Sequence, residues 1–335
     1  MDVCTGAGGL ALGLEQAGFD PVLVLDNKPV ACETLRKNRS SWNVLEMDLL
    51  DFDPVEHQES YDVDLLSAGL PRVRSVATHG RTELGTELNL LRATVLLVHA
   101  VQPRALLVEN VPGLVDAPEF ADVRDFIQKE LAHLGYEFSW FVVNAADFGV
   151  PQDRKQGVLV ALKDNRATRY RPPEPCAAPR VTAGEALRAS MSARGWTEAD
   201  TWASGADSVA PTLVGGSENR GGADLGLSGS KKAWARMGIN GNALSDEVPG
   251  PDGVQESDSS GSPLKKLTVA QTAILQAFPD DWHFAGLKTA RARQIGHASP
   301  PPVGRALGRS IAEALEHDEV GAPAVRGTRP FHTEG

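Results

Sequence analysis

The sequence predicts an α/β fold in which a parallel sheet is followed by a smaller second domain, and three observations predict it. Short apolar runs alternate with helical patterns from residue 2 to about 163, the pattern then breaks into Pro-, Gly- and Ser-rich sequence, and an amphipathic segment returns near the end. In the first stretch 21–26, 63–67, 105–109 and 158–162 read as buried strands, because each is a brief apolar run. Between them, 10–17, 29–38, 88–101 and 123–134 read as helices. Strands joined by crossover helices lie parallel. Open sheets of this kind hold ligands at the carboxyl ends of their strands, so the residues just past each run carry the functional interest.

Beyond Lys163 only isolated helical pieces remain, at 183–194 and 231–237, and 248–263 is almost entirely turn formers and acids, which reads as a linker. Regular structure resumes at 267–278. The segment 302–316 reads as an amphipathic helix with Val303, Ala306, Leu307, Ile311 and Leu315 on one face. From His317 the chain reads as a frayed tail.

The composition is that of a globular protein: 335 residues, 41% hydrophobic and 23% charged. No apolar stretch approaches the roughly 20 residues of a membrane-spanning helix, and the expected compartment is the cytoplasm. Three scattered cysteines, Cys4, Cys32 and Cys176, form no CxxC pair, and the eight histidines show no metal-ligand spacing, so free thiols and no metal are expected. The formal net charge of −11 argues against coating nucleic acid indiscriminately. Between Arg166 and Arg236, however, basic residues outnumber acidic ones, which fits either a local nucleic-acid surface or an ordinary solvated one.

The first chemical candidate is Thr5-Gly6-Ala7-Gly8-Gly9 running into the helix that opens at Leu10. Glycines there let the backbone approach a ligand and the helix start offers free N–H groups, although a plain tight turn has the same composition. Asp26 ends a strand run about 17 residues after Gly9, near the spacing at which an acid meets ribose hydroxyls. Asp48 follows the short run 44–47. Either acid could equally cap a helix. Glu109 and Arg154, taken singly, read as a strand-end acid and a salt-bridge partner. Trp234 and Trp282 read as core residues.

In order and spacing these residues resemble the DNA (cytosine-5) methyltransferases over about residues 2–315. The segment Asp2-Val3-Cys4-Thr5-Gly6-Ala7-Gly8-Gly9 resembles that family's S-adenosylmethionine loop, with Gly6, Gly8, Gly9 and Leu10 as cofactor contacts, Asp26 as the ribose acid and Asp48 as the adenine contact. Glu109-Asn110-Val111 is similar to the motif whose glutamate holds the target cytosine. Gln152-Asp153-Arg154-Lys155-Gln156 resembles the arginine motif, and Arg293-Gln294-Ile295-Gly296-His297 with Pro300-Pro301-Pro302 the closing one, which adds His297 to the cofactor set. The resemblance implies a Rossmann-like S-adenosylmethionine-dependent methyltransferase sheet with a small inserted target-recognition domain. The catalytic domain would span 1–163 and be completed by 264–317, the recognition domain and its linker 164–263, and the tail 318–335. The implied partner is double-stranded DNA, bound by a monomer, with Arg74, Arg220, Lys231 and Lys232 facing it, in a bacterial modification setting.

The resemblance also exposes a departure. The family activates cytosine by adding a cysteine thiolate to C6, with the glutamate acting at N3 and the arginine steadying the adduct, on a base flipped out of the duplex. That cysteine lies in a Gly-Pro-Pro-Cys-type loop, which here reads Ala68-Gly69-Leu70-Pro71-Arg72-Val73-Arg74-Ser75, placing Arg72 at the nucleophile's position. A guanidinium keeps its proton and offers no lone pair at neutral pH. Cys4, Gln156, Gln271 and His297 also depart from the family pattern. The expectation is a DNA- and cofactor-binding protein whose methyl transfer is lost or strongly impaired. The alternative is a working modification enzyme.

Overall fold

The computed structural model describes residues 1–73, 84–214, 223–226, 228–255 and 263–316. Along the chain run β1 (Asp2–Val3), α1 (Gly9–Gln16), β2 (Val24–Asp26), α2 (Pro29–Asn38), β3 (Val44–Glu46), β4 (Leu65–Gly69), α3 (Leu84–Val101) and β5 (Ala105–Asn110). There follow α4 (Gly113–Asp116), α5 (Ala121–His133), β6 (Tyr136–Asn144), β7 (Gln152–Asp153) and β8 (Lys155–Lys163). The rest comprises α6 (Ala183–Ser192), α7 (Ala199–Gly205), β9 (Ala210–Pro211), α8 (Ser228–Arg236), α9 (Val269–Leu275), α10 (Lys288–His297) and α11 (Pro301–Glu316).

Seven strands form the main sheet in the order β3-β2-β1-β4-β5-β8-β6. The first five are parallel, as the strand-helix alternation predicts, but β8 pairs antiparallel with both β5 and β6. The expectation of a wholly parallel sheet is therefore corrected at one edge. The physical reason is the connection: β6 reaches β8 through a short excursion over 145–154 rather than a crossover helix, and so short a link only joins antiparallel neighbours. β6 itself was not expected, because Glu137 and Ser139 interrupt its apolar run.

Side chains alternate across the central strands. Leu66, Leu106, Val108 and Leu159 face one way and pack with Leu91, Val95 and Val98 of α3 and Val123, Ile127 and Leu131 of α5. Leu65, Leu107, Val158 and Val160 face the other way and are covered by Leu10 and Leu14 of α1 together with Val303, Leu307 and Ile311 of α11. The chain's last described helix thus lies against its first, and the predicted apolar stripe of α11 is the buried one, with Ala306 only partly covered.

A separate cluster holds Leu187 and Met191 of α6, Trp196, Trp234 of α8, Met237, Ile239 and Leu244, and it also takes in Leu267 and Leu275 around α9. Trp234 is fully buried there. A further cluster of Trp42, Phe278, Trp282 and Phe284 packs against α1 and α2 beside the loop that leaves β1, where Trp282 donates its indole N–H to the Ala7 carbonyl at 3.2 Å. Both tryptophans are core residues, as read. Among the described residues no helix is long and apolar enough to cross a membrane.

Candidate functional site

The carboxyl ends of β1, β2 and β3 gather the first set of predicted residues. The loop after β1 turns through left-handed backbone at Cys4, Gly6 and Gly8, with φ of 52°, 57° and 85°. Only Gly6 faces open space, since a Cβ there would meet nothing within 4 Å. The other two loop glycines are closely packed, Gly8 in addition to its left-handed backbone. A Cβ on Gly9 would stand 2.0 Å from the Ser299 carbonyl oxygen, and one on Gly8 would stand 2.7 Å from Leu35 Cδ2. Gly9 lets α1 close against the turn after α10, and Gly8 lets the loop close against α2 and Trp282.

Asp26, at the end of β2, accepts hydrogen bonds from the Gly6 N–H at 2.8 Å and the Lys28 N–H at 2.9 Å. Burial raises its carboxyl above the usual range, while those two N–H groups pull it back. Asp48, beyond β3, accepts from the Leu50 N–H at 3.0 Å and from Asn27 Nδ2 at 2.8 Å, so it caps a short helical turn and ties the ends of β2 and β3 together. An open-faced loop glycine beside two adjacent carboxylates, with the first turn of α1 presenting N–H groups, is a donor and acceptor set that fits a nucleoside bearing hydroxyls and an amino group.

The second set lies at the ends of β4, β5 and β8. Asn110 ends β5, accepts from the Val73 N–H at 3.0 Å and donates from Nδ2 to the Pro71 carbonyl at 3.2 Å. It thereby brackets Arg72 from both sides. Glu109, its neighbour, is 5% exposed and its Oε1 has no hydrogen-bond partner among the described residues. Arg72 Nη2 is likewise buried and unpaired there. Arg154 is completely buried; Nη1 donates to the carbonyls of Leu213 at 3.1 Å and Gly296 at 3.0 Å, and Nη2 to that of His297 at 3.4 Å. Its Nε is unpaired. Burial pushes this guanidinium down to about 9, the Arg72 cation pushes the same way and Glu109 opposes both, so it stays charged at neutral pH.

Most of the Arg154 fork is therefore spent on backbone carbonyls. Its neighbours two residues away behave similarly. Gln152 donates to the Leu275 carbonyl at 3.2 Å and to Gln276 Oε1 at 2.9 Å, and accepts from the Leu213 N–H at 2.8 Å, while Gln156 donates to Ser299 Oγ at 2.9 Å. Side chains 152, 154 and 156 share one face of the chain and tie it to 213 on one side and to 275–299 on the other. Gln271 closes a capping box with Thr268 at the start of α9.

The remaining candidates are dispersed. His297 ends α10 with an exposed side chain, and its carbonyl reaches Arg154. On α8, Lys231 pairs with Asp224 at 3.0 Å and Lys232 is exposed. Arg74 and Arg220 lie outside the described residues. Two of the three thiols are pushed up by burial. Cys4, whose carbonyl oxygen is the near neighbour of Gly69, is pushed well above its ordinary range by burial and then by Asp26 and other acids. Burial raises Cys32 to about 11, and its Sγ donates to the Asp26 carbonyl at 3.3 Å. Cys176 is exposed beyond β8, its N–H bound to the Asp147 carbonyl at 2.7 Å. The bracket that Asn110 makes around Arg72 was not expected from the sequence, although its place directly after Glu109 at a strand end was the available signal.

Known proteins similar to this chain are methyltransferases. The chain is 41% identical over 328 residues to the type II methyltransferase M.NaeI of Lentzea aerocolonigenes, covering 96% of this chain and 76% of that protein. It is 38% identical over 322 residues to the type II methyltransferase M.NgoMIV of Neisseria gonorrhoeae, covering 95% and 98%. In fold it is similar to a DNA modification methyltransferase encoded within an E. coli prophage, with a TM-score of 0.64, 19% identity and coverage of 94% and 98%. Residues 1–313 match the family described as C-5 cytosine-specific DNA methylase, and the chain belongs to that family, whose methyl donor is S-adenosylmethionine.

Proposed function

We propose that this protein binds double-stranded DNA and S-adenosylmethionine but lacks the covalent step of cytosine methylation, so that methyl transfer to C5 is absent or strongly impaired. The observation that carries this reading is Arg72, bracketed by Asn110 next to Glu109 in the chain and within the electrostatic reach of Arg154, in the strand-end loop that resembles the one where the family places its cysteine. Cytosine C5 is too weak a nucleophile to accept a methyl group until something adds to C6. Arginine has no lone pair to add, and both thiols nearest the sheet's end are held protonated at neutral pH.

The other parts of the machinery support binding. When bound, the cofactor supplies a sulfonium methyl group. In this reading the Gly6 turn and the N–H groups of Gly9 and Leu10 would lie along it, Asp26 would take its ribose hydroxyls, Asp48 its adenine amino group, and His297 would border it; Gly8 supports the turn through its packing. Glu109 would hold the polar edge of the target base. The segment 164–263 acts as the recognition domain within a catalytic body of 1–163 and 264–317, with Lys231 and Lys232, and Arg74 and Arg220 in sequence, as phosphate contacts. A monomer suffices, since both halves of the site come from one chain.

Transfer of labelled methyl groups to plasmid DNA tests this. The expected result is no incorporation above a protein-free control from a preparation that binds the cofactor calorimetrically and shifts duplex DNA with steep salt dependence; clear incorporation sinks the reading. The second reading, a working modification enzyme, draws on the full-length similarity to two type II methyltransferases. It requires a nucleophile from another position and predicts methylated cytosines in DNA of cells expressing the protein, read by bisulfite sequencing.

A further inference from the structure

The strand register brings three unpaired polar atoms to one end of the sheet. Gly69 pairs with Glu109 across β4 and β5, and Asn110 pairs with Gly157 across β5 and β8. Arg72, three residues past β4, Glu109 near the end of β5, and Arg154, three residues before Gly157, therefore emerge together. Asn110 fixes the first of them through Pro71 and Val73. Arg72 Nη2, Glu109 Oε1 and Arg154 Nε are each buried without a partner among the described residues. Buried charged groups are ordinarily satisfied, so three unsatisfied atoms at adjacent strand ends mark a place that a ligand completes.

The ligand's chemistry follows from what each atom can do. Guanidinium nitrogens only donate and an ionised carboxylate only accepts. The partner must therefore offer two acceptors to the arginines and one donor to Glu109. The pairing edge of a pyrimidine has that inventory: cytosine carries an amino donor with N3 and O2 as acceptors, and thymine one N–H between two carbonyls. Guanine offers the reverse count, and adenine too few acceptors on that edge.

Resting on the reading above, we propose that Arg72 is a base-binding residue, which with Glu109 and Arg154 makes this end of the sheet a non-covalent site for a pyrimidine extruded from DNA. The C5 position lies off the edge that these atoms address. Cytosine and 5-methylcytosine are consequently held alike, and the protein reads a pyrimidine where its relatives modify one.

Fluorescent duplexes with randomised flanks and a single base opposite an abasic site, which removes most of the unpairing cost, provide the test. Cytosine and 5-methylcytosine are expected to bind the wild-type protein within about twofold of each other and about tenfold tighter than adenine, the worth of one charge-assisted hydrogen bond. Arg72→Met is expected to bring the cytosine-to-adenine ratio near unity, and Arg72→Lys to retain part of it. Because each ratio is taken within one protein, changes in overall DNA affinity or folded fraction cancel. A wild-type protein that holds adenine as tightly as cytosine overturns the proposal without any variant, as does an Arg72→Met protein that keeps the ratio. A 5-methylcytosine duplex bound tenfold more weakly than the cytosine duplex overturns the reader role. Methyl incorporation by the wild type would overturn the missing covalent step instead, a separate result.

Discussion

Arg154 illustrates how a residue's neighbours decide its role. On sequence it resembles the arginine that steadies the family's adduct, yet its two terminal nitrogens are bound to the carbonyls of Leu213, Gly296 and His297, and only Nε is left over. Arg154→Met would strand those carbonyls in a buried setting, and each unsatisfied group costs about 1–3 kcal/mol. The expected loss is about 3 kcal/mol or more in urea unfolding, with Arg154→Lys intermediate because one ammonium cannot span the fork's geometry. A loss under about 1 kcal/mol would show that those bonds hold nothing together. None of these partners was legible in the sequence: Leu213 and Gly296 are 59 and 142 residues away, and carbonyl groups carry no residue-specific signal. Glu109 was legible, because a carboxylate at the end of an apolar strand run stands out by type. Asn110 was present in the same motif but its bracket around Arg72 needed the fold to bring 71–73 alongside.

At the scale of elements, the loop from β1 into α1 does two jobs with one glycine-rich run. Gly6 stands in left-handed backbone with open space around it, whereas Gly9 is pressed against the Ser299 carbonyl. Gly6→Ala is therefore expected to cost only the conformational strain, about 1 kcal/mol, while Gly9→Ala must push the turn after α10 away from α1 and is expected to cost about 3 kcal/mol or more. Thermal unfolding of the two variants compares them, and equal losses would contradict this division. The elements themselves were mostly readable. α2 starts at the expected Pro29, where proline's missing N–H costs nothing, and α11 follows its apolar stripe. β6 and α10 were not read. β6 lacks the continuous apolar run of the central strands and instead alternates Tyr136, Phe138 and Trp140 with Glu137 and Ser139, a period-2 pattern that was present but not used, and α10, with Lys288, Arg291 and Arg293 in its first two turns, has too few apolar positions for a periodic pattern.

Over the whole molecule, one short stretch of chain carries the connection between parts. Gln152, Arg154 and Gln156 join the sheet to the 211–214 segment, to α9 and to the turn between α10 and α11, and that turn in turn supports the loop after β1 through Ser299. The apolar layers, Asp26 and Glu109 at strand ends and the buried Arg154 thus form one connected framework, and the proposed loss of the covalent step centres on Arg72 in the loop after β4. Duplex DNA synthesised with 5-fluorocytosine, which traps the thiolate addition as a stable adduct, probes that centre directly when incubated with the cofactor and resolved on a denaturing gel. The wild-type protein is expected to give no protein–DNA adduct and Arg72→Cys to give one, because Glu109 and Arg154 remain to assist a restored thiol. An adduct formed by the wild-type protein would contradict the claim that the covalent step is missing, and an adduct-free Arg72→Cys would contradict the claim that the rest of the site is intact.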